Sequence, residues 1–228
     1  MKLGIICAGD VELEPFLEKL SDESLVEKAM LKFHKSTFAG HEIFFLYSGV
    51  CKVNAAIATQ ILIDEFKVDA VINSGVAGGM DPELKIFDTV ISTEVAYHDV
   101  AANILTEFHP WMKSVFFMAD IGLLEKTQKV AETIKTNGKI YWGRMVTGEA
   151  FITDAGRQEI LDNFSPLSVD METGSIAHVC YVNGIPFIAI RCITDTADHS
   201  GAQFFEMNCK KAARIASDIT LALIAEID

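Results

Sequence analysis

Arginine is scarce in this chain. Arg144, Arg157, Arg191 and Arg214 are its only four, and none precedes Arg144. The formal net charge is −13 at pH 7, which argues against a nucleic acid or an anionic membrane as partner. No apolar run approaches the roughly 18 residues that a membrane-spanning helix needs. The five cysteines (Cys7, Cys51, Cys180, Cys192, Cys209) form no CxxC pair and are odd in number. Most sit in apolar runs, and they read as small core residues in a reducing compartment, the cytoplasm. A GxGxxG fingerprint is missing too. The run Ser74-Gly75-Val76-Ala77-Gly78-Gly79 has the wrong spacing, and no acidic residue follows at the right distance, so a dinucleotide site is not expected. His98-Asp99 has no further ligands at metal spacing and reads as a structural pair. The opening residues Met1–Ile6 are too short and too soon interrupted for a signal peptide. No repeat, low-complexity tract or linker breaks the 228 residues, which read as one domain over 1–228.

What is present is apolar and regularly punctuated. Half the residues are hydrophobic and the mean hydropathy is +0.27, rich enough to suggest burial between subunits. Extended apolar runs alternate with helical periodicity. Strands are expected at Leu3–Cys7, Glu42–Ser48, Asp69–Asn73, Phe87–Tyr97, Lys139–Met145, Leu167–Val169 and Phe187–Ile190, with a hairpin or edge element over 23–40. Helices are expected over 12–20, 53–65, 123–134, 174–182 and 204–227. In the second of these Ala56, Ile57, Ile61 and Leu62 are expected to face inward; in the last, Ala212, Ile215, Ala216, Ile219 and Leu223 form the apolar stripe. The alternation predicts an α/β fold with a mainly parallel central sheet.

The stretch from Ser168 to Asp198 carries the densest chemistry. Asp170, Met171 and Glu172 follow a strand, and Asn183-Gly184 stops the helix after them. Pro186 then leads into a strand that ends in Arg191 and Thr194-Asp195. If the two strands are parallel neighbours, their carboxylates and the arginine emerge at one sheet edge, where ligands bind in open α/β folds; solvated caps would use the same residues. Near the amino terminus, Asp10 is expected to cap the first helix. Glu12 sits in its first turn, as a helix stabiliser or as a carboxylate facing the mouth of the sheet. The glycines after Asn73 mark a tight strand-exit turn or a place where backbone approaches a ligand. Phe151 reads as core or as a face for a planar base, and Phe205 as core or as a cover for the pocket.

Five separated segments together resemble the methylthioadenosine/S-adenosylhomocysteine nucleosidases of the purine nucleoside phosphorylase superfamily. Gly4-Ile5-Ile6-x-Ala8 with Glu12 is similar to the family's amino terminus, and Asn73–Gly79 to Asn-Thr-Gly-Ser-Ala-Gly-Gly, with Val76 in place of serine. Thr147–Ile152 resembles Ser-Gly-Asp-Ala-Phe-Ile, with Glu149 for aspartate. Val169–Glu172 and Arg191–Asp195 resemble Val-Glu-Met-Glu and Arg-x-Ile-Ser/Thr-Asp. The segment Val100–Leu105 departs from the family's Asp-Val-Thr-x-Phe, which leaves the 5′ substituent open.

The resemblance spans the whole chain. It implies a three-layer nucleoside phosphorylase/hydrolase fold with a mixed, partly closed sheet flanked by helices, a homodimer, and a small nucleoside as substrate, with no cofactor or metal. By the same resemblance the catalytic set is Glu12, Glu172 and Asp195: Glu12 activating water, Glu172 holding the ribose hydroxyls, Asp195 protonating N7 of the purine. The substrate-binding set is Val76, Gly78, Phe151, Ile152, Met171, Arg191, Thr194 and Phe205. Phe151 stacks on the base, the Ile152 backbone reads adenine, Met171 packs under the ribose, Arg191 orients Glu172, and Thr194 positions Asp195. A phosphorylase needs cations for a phosphate dianion, which the acidic first βα turn does not offer. A futalosine-type hydrolase and a non-catalytic nucleoside sensor are the remaining alternatives.

Overall fold

Along Lys2–Cys7, strand β1, successive side chains enter opposite cores: Leu3, Ile5 and Cys7 one, Ile6 the other. This period-two pattern builds the central layer. The computed structural model describes every residue except 22, 102, 109–111, 154, 199 and 200; Ala102, within the divergent 100–105 segment, thus lies outside the described residues. After β1 come α1 (Asp10–Lys19), β2 (Ser24–Lys28), β3 (Leu31–Phe38), β4 (His41–Tyr47), α2 (Lys52–Asp64), β5 (Ala70–Gly79) and β6 (Thr89–Tyr97). The chain continues through α3 (Ile104–Glu107), β7 (Phe117–Met118), α4 (Ile121–Thr133), β8 (Ile140–Thr147), α5 (Arg157–Phe164), β9 (Ser168–Asp170), α6 (Thr173–Asn183), β10 (Phe187–Asp195) and α7 (Ala202–Ala225).

All strands join one mixed sheet. Its path runs β10-β6-β8-β9-β5-β1-β4-β3-β2, with β7 on β6 and a further pairing of β10 with β5. That last pairing closes β5, β10, β6, β8 and β9 into a ring, while β1 to β4 extend from it as an open wing. Leu13 and Phe16 of α1 with Leu20 at its C-cap, Leu123 and Val130 of α4, and the inner stripe of α7 pack in one core. Ala55, Ala58 and Leu62 of α2 and Ile176, Ala177 and Cys180 of α6 pack in the other. Helices therefore cover the sheet on both faces, the three layers expected.

Four expectations require correction. The first helix is not capped by Asp10. Gly9 is the extended N-cap, and Glu12 reaches back to the N–H of Gly9 (2.9 Å) and of Ala8 (2.5 Å), while Asp10 Oδ1 accepts from Val11. The inward face of α2 is Ala55, Ala58, Thr59 and Leu62, with Val53 and Ile57 exposed; small residues let this helix lie close on its neighbours, which turns the branched ones outward. Ser74–Gly79 is no turn but the second half of β5. Strands β9 and β10 are not neighbours, because β5 lies between them, parallel to β10 and antiparallel to β9.

These last two corrections create the site. Along one edge of β5 the pairing with β1 ends at Asn73, and the pairing with β9 begins only at Gly78. The edge of Ser74–Ala77 is left free for side chains. Because β9 runs against β5, it delivers Asp170 and Glu172 toward the middle of β10, where Arg191 pairs with Gly75, rather than toward its end.

Candidate active site

Arg191 organises this gap. It is fully buried, with Nε and Nη2 each 2.8 Å from Asp170 Oδ2, Nη2 3.1 Å from Glu172 Oε2, and Nη1 3.5 Å from Glu12 Oε1. Burial opposes its charge, but Asp170, Glu12 and Glu172 outweigh that and raise its pKa above the ordinary value. Three carboxylates from α1, β9 and the start of α6 thus share one guanidinium, whose planar fork can meet several acceptors at once.

Each carboxylate has its own second anchor. Glu12 Oε1 accepts the N–H of Val76 at 2.7 Å, the donor freed by the gap in β5. Asp170 accepts from Thr147 Oγ1 at 2.6 Å, from the N–H groups of Glu172 and Thr173, and from Thr173 Oγ1. Glu172 Oε1 accepts the Cys51 N–H at 2.9 Å. Burial, against the pull of Arg191 and helped by Asp170, pushes the Glu172 carboxyl up to about 7.

Asp195 closes the far end. A register shift in the β10–β5 ladder between Ile193 and Asp195 re-aims its side chain, and Gly78 opposite leaves room: a Cβ there would lie 3.2 Å from Asp195 Oδ2. Thr194 Oγ1 donates to Asp195 Oδ1 at 2.8 Å. Burial raises the Asp195 pKa, against the lowering effects of the Thr194 hydrogen bond and of Arg157.

A cavity of about 720 Å³ opens in front of these groups. Of the predicted residues, Glu12, Val76, Gly78, Phe151, Ile152, Met171, Glu172, Asp195 and Phe205 line it. Phe151 is exposed rather than core and meets Phe205 edge-on, ring centroids 6.3 Å apart. Two residues of the expected substrate-binding set do not line it: Arg191 and Thr194 are both fully buried, behind the wall, because each is spent on a carboxylate that does face the cavity. Among the lining residues, Asp10, Glu14, Asp170 and Glu206 join the three expected carboxylates, and Lys210, paired with Glu14 at 3.1 Å, is the sole cation. His98-Asp99 holds no metal cluster among the described residues; Asp99 instead binds Lys52 at 2.8 Å.

Sequence reasoning brought Asp170 to one edge with Arg191 but gave it no role, and it passed over Gly75 and Cys51. The Asp170 carboxylate was visible at a strand end, but its partner lies two strands away. Gly75 offers a contact signal only in three dimensions: a Cβ on it would sit 2.2 Å from Glu12 Oε1 and 2.5 Å from Arg191 Nη1. Gly75→Ala should therefore displace both groups and lower activity about 100-fold, the scale set by misplacing a reacting group by about 1 Å. Steady-state kinetics on a variant that still melts cooperatively would check this; unchanged kcat/KM would mean that the site relaxes around the methyl.

The same architecture recurs in known proteins. The phosphorylase superfamily model matches residues 2–225. A 5′-methylthioadenosine/S-adenosylhomocysteine nucleosidase of Halalkalibacterium halodurans is 38% identical over 232 residues, covering 99% of both chains. The structure of a nucleosidase of the same name from Colwellia psychrerythraea, in complex with adenine, is 35% identical and superposes with a TM-score of 0.90 over 99% of this chain and 95% of that one. Futalosine hydrolase of Helicobacter pylori superposes with a TM-score of 0.89 at 27% identity, over 100% of this chain and 98% of the other. The gap in β5, the shared guanidinium and the carboxylate-lined cavity thus sit in a chain that belongs to the 5′-methylthioadenosine/S-adenosylhomocysteine nucleosidases of the phosphorylase superfamily.

Proposed function

We propose that this protein, as a single nucleosidase domain, hydrolyses the N-ribosidic bond of methylthioadenosine and S-adenosylhomocysteine and releases adenine. The observation that carries the reading is the fate of Arg191. Its guanidinium is committed to Asp170, Glu172 and Glu12, and the cavity in front is lined by carboxylates. A phosphate dianion would meet repulsion there, whereas water meets acceptors. Acidic walls also suit the positive charge that grows on the sugar as the bond stretches.

In this reading the purine lies between Phe151 and the end of β5, with the Ile152 backbone at its edge. Asp195, held by Thr194 and shifted by burial toward its protonated form, gives its proton to N7. The C1′–N9 bond breaks and its electron pair leaves with the base. Glu12, fixed by three N–H groups, takes a proton from the water that attacks C1′, so that adenine and a 5-substituted ribose result. Glu172 holds the ribose hydroxyls, Met171 lies under the ring, and Phe205 covers it. Val76 in place of a serine leaves the wall beside Glu12 apolar. The 5′ substituent is tested by comparing kcat/KM for methylthioadenosine, S-adenosylhomocysteine and futalosine. The first two should be preferred. Base release from futalosine alone would reassign the substrate, and release from none of the three would favour the sensor reading.

The reading includes a homodimer, supported by one surface. Val53 and Ile57 of α2, Tyr181 and Val182 at the end of α6, and Met118 of β7 are all exposed on elements that touch one another. Sedimentation should give about twice the 25.0 kDa of one chain; a 25.0 kDa species would refute the dimer. No described helix is long and apolar enough to cross a membrane. Five free cysteines suit a cytoplasmic location.

A further inference from the structure

Between the ribose wall and the base wall of the cavity lies a second cluster of charges. Lys52, the first residue of α2, donates its backbone N–H to Glu149 Oε1 at 3.1 Å. Its Nζ reaches both carboxylate oxygens of Asp99, at 2.9 and 2.8 Å, and lies 5.1 Å above the Tyr97 ring. Asp99 Oδ2 also accepts the Glu149 N–H at 2.9 Å. The end of β6, the start of α2 and the loop after β8 are thereby tied into one triangle.

Both walls of the cavity hang from that triangle. Glu149 immediately precedes Ala150, Phe151 and Ile152, and Lys52 immediately follows Val50 and Cys51; of these, Ala150, Phe151, Ile152 and Val50 line the cavity. Cys51 itself has φ +84° and ψ 161°, a conformation that only glycine adopts without strain. Its N–H is the one that holds Glu172. A strained backbone donor persists only where its surroundings over-determine it, and the surroundings here are Lys52 and Glu149.

Resting on the nucleosidase reading above, we propose that Lys52, Asp99 and Glu149 form a positioning strap. It fixes the separation of the base loop from the ribose wall and keeps the Cys51 N–H aimed at Glu172. The strap touches no substrate and acts through Cys51 and through the 150–152 loop. Its ion pair is partly exposed, with side-chain exposures of 18% for Lys52 and 27% for Asp99, so its contribution to global stability is small. Positioning and stability therefore separate experimentally.

The test compares Lys52→Met, Asp99→Asn, their combination and Lys52→Arg. Lys52→Met and Asp99→Asn should each lower kcat/KM for methylthioadenosine about tenfold, and the double variant should fall no further than the worse single one, because both cut the same tie. Lys52→Arg, which keeps the charge, should retain near-wild-type kinetics. Thermal midpoints should stay within a few degrees of wild type. Native-state amide exchange gives a readout independent of turnover: the Cys51 N–H and the 148–152 segment should exchange about tenfold faster in Lys52→Met. Additive losses, losses that track the thermal midpoint, or unchanged exchange at Cys51 would overturn the strap. If the wild-type protein releases no base, the nucleosidase reading fails by itself, and the exchange measurement still decides whether the strap exists.

Discussion

Asp195→Asn should slow adenine release by about 100- to 10,000-fold, the range that a positioned general acid contributes, while leaving a protein more stable than wild type at neutral pH. Both halves follow from one fact. Asp195 is buried, and burial raises its pKa above the ordinary 3.8, so the fold favours the protonated form. A group whose pKa is raised on folding contributes stability that is complete below the unfolded value, near 3.8, and is lost as the pH rises through the folded value. Asparagine keeps the shape and the Thr194 contact but never has to ionise. The excess stability of the variant should therefore be present at about pH 8 and shrink toward zero by about pH 4, as melting curves across that range would show. In wild type, kcat/KM should fall as the pH rises through the raised Asp195 value, and this limb should be missing from the residual activity of the variant. A variant as active as wild type would remove Asp195 from the reaction.

Arg191→Met should be strongly destabilising. The guanidinium is fully buried against Asp170, Glu172 and Glu12. Removing it leaves three carboxylates in a low-dielectric interior without their counter-charge. Breaking a buried pair from one side costs about 3–5 kcal/mol, which in a chain of this size is a fall of about 10 °C in melting temperature. Arg191→Lys should recover part of the loss only, since an ammonium cannot present the planar fork that meets all three acceptors. Adding Asp170→Asn to Arg191→Met should restore some stability, because it deletes one of the stranded charges. Urea unfolding of the three variants checks the order. If Arg191→Met melts with wild type, the carboxylates are neutralised by protons instead, and the electrostatic picture of the site is wrong.

Much of this arrangement was legible in the sequence, and the misses have a common physical origin. Glu12 follows the apolar run of β1 and Asp195 ends that of β10, so their arrival at one cavity follows from strand and helix alternation. Gly184 ends α6 in the left-handed conformation, φ +66°, as Asn183-Gly184 led one to expect. What could not be read was the order of strands. A βαβ pattern suggested that β9 and β10 are parallel neighbours, but β9 is only three residues long and pairs antiparallel with the glycine-rich end of β5. Nothing in Ser168-Val169-Asp170 encodes that direction; it comes from the ring closure of the sheet. For the same reason Arg191 looked like a strand-end residue facing ligand and proved to be a mid-strand residue behind the wall. Side-chain periodicity also misled along α2, where Ile57 is apolar yet points outward. Cys51 gave no local signal, because nothing in its own residue type calls for a positive φ.

The claim on which the rest depends is that water, not phosphate, takes the ribose. It is tested most directly by following methylthioadenosine turnover in water enriched in oxygen-18, with and without added phosphate, and weighing the sugar product. Each sugar released should carry one heavy oxygen at C1, and phosphate should leave the rate unchanged. A sugar phosphate free of the label at C1, formed only when phosphate is present, would contradict it.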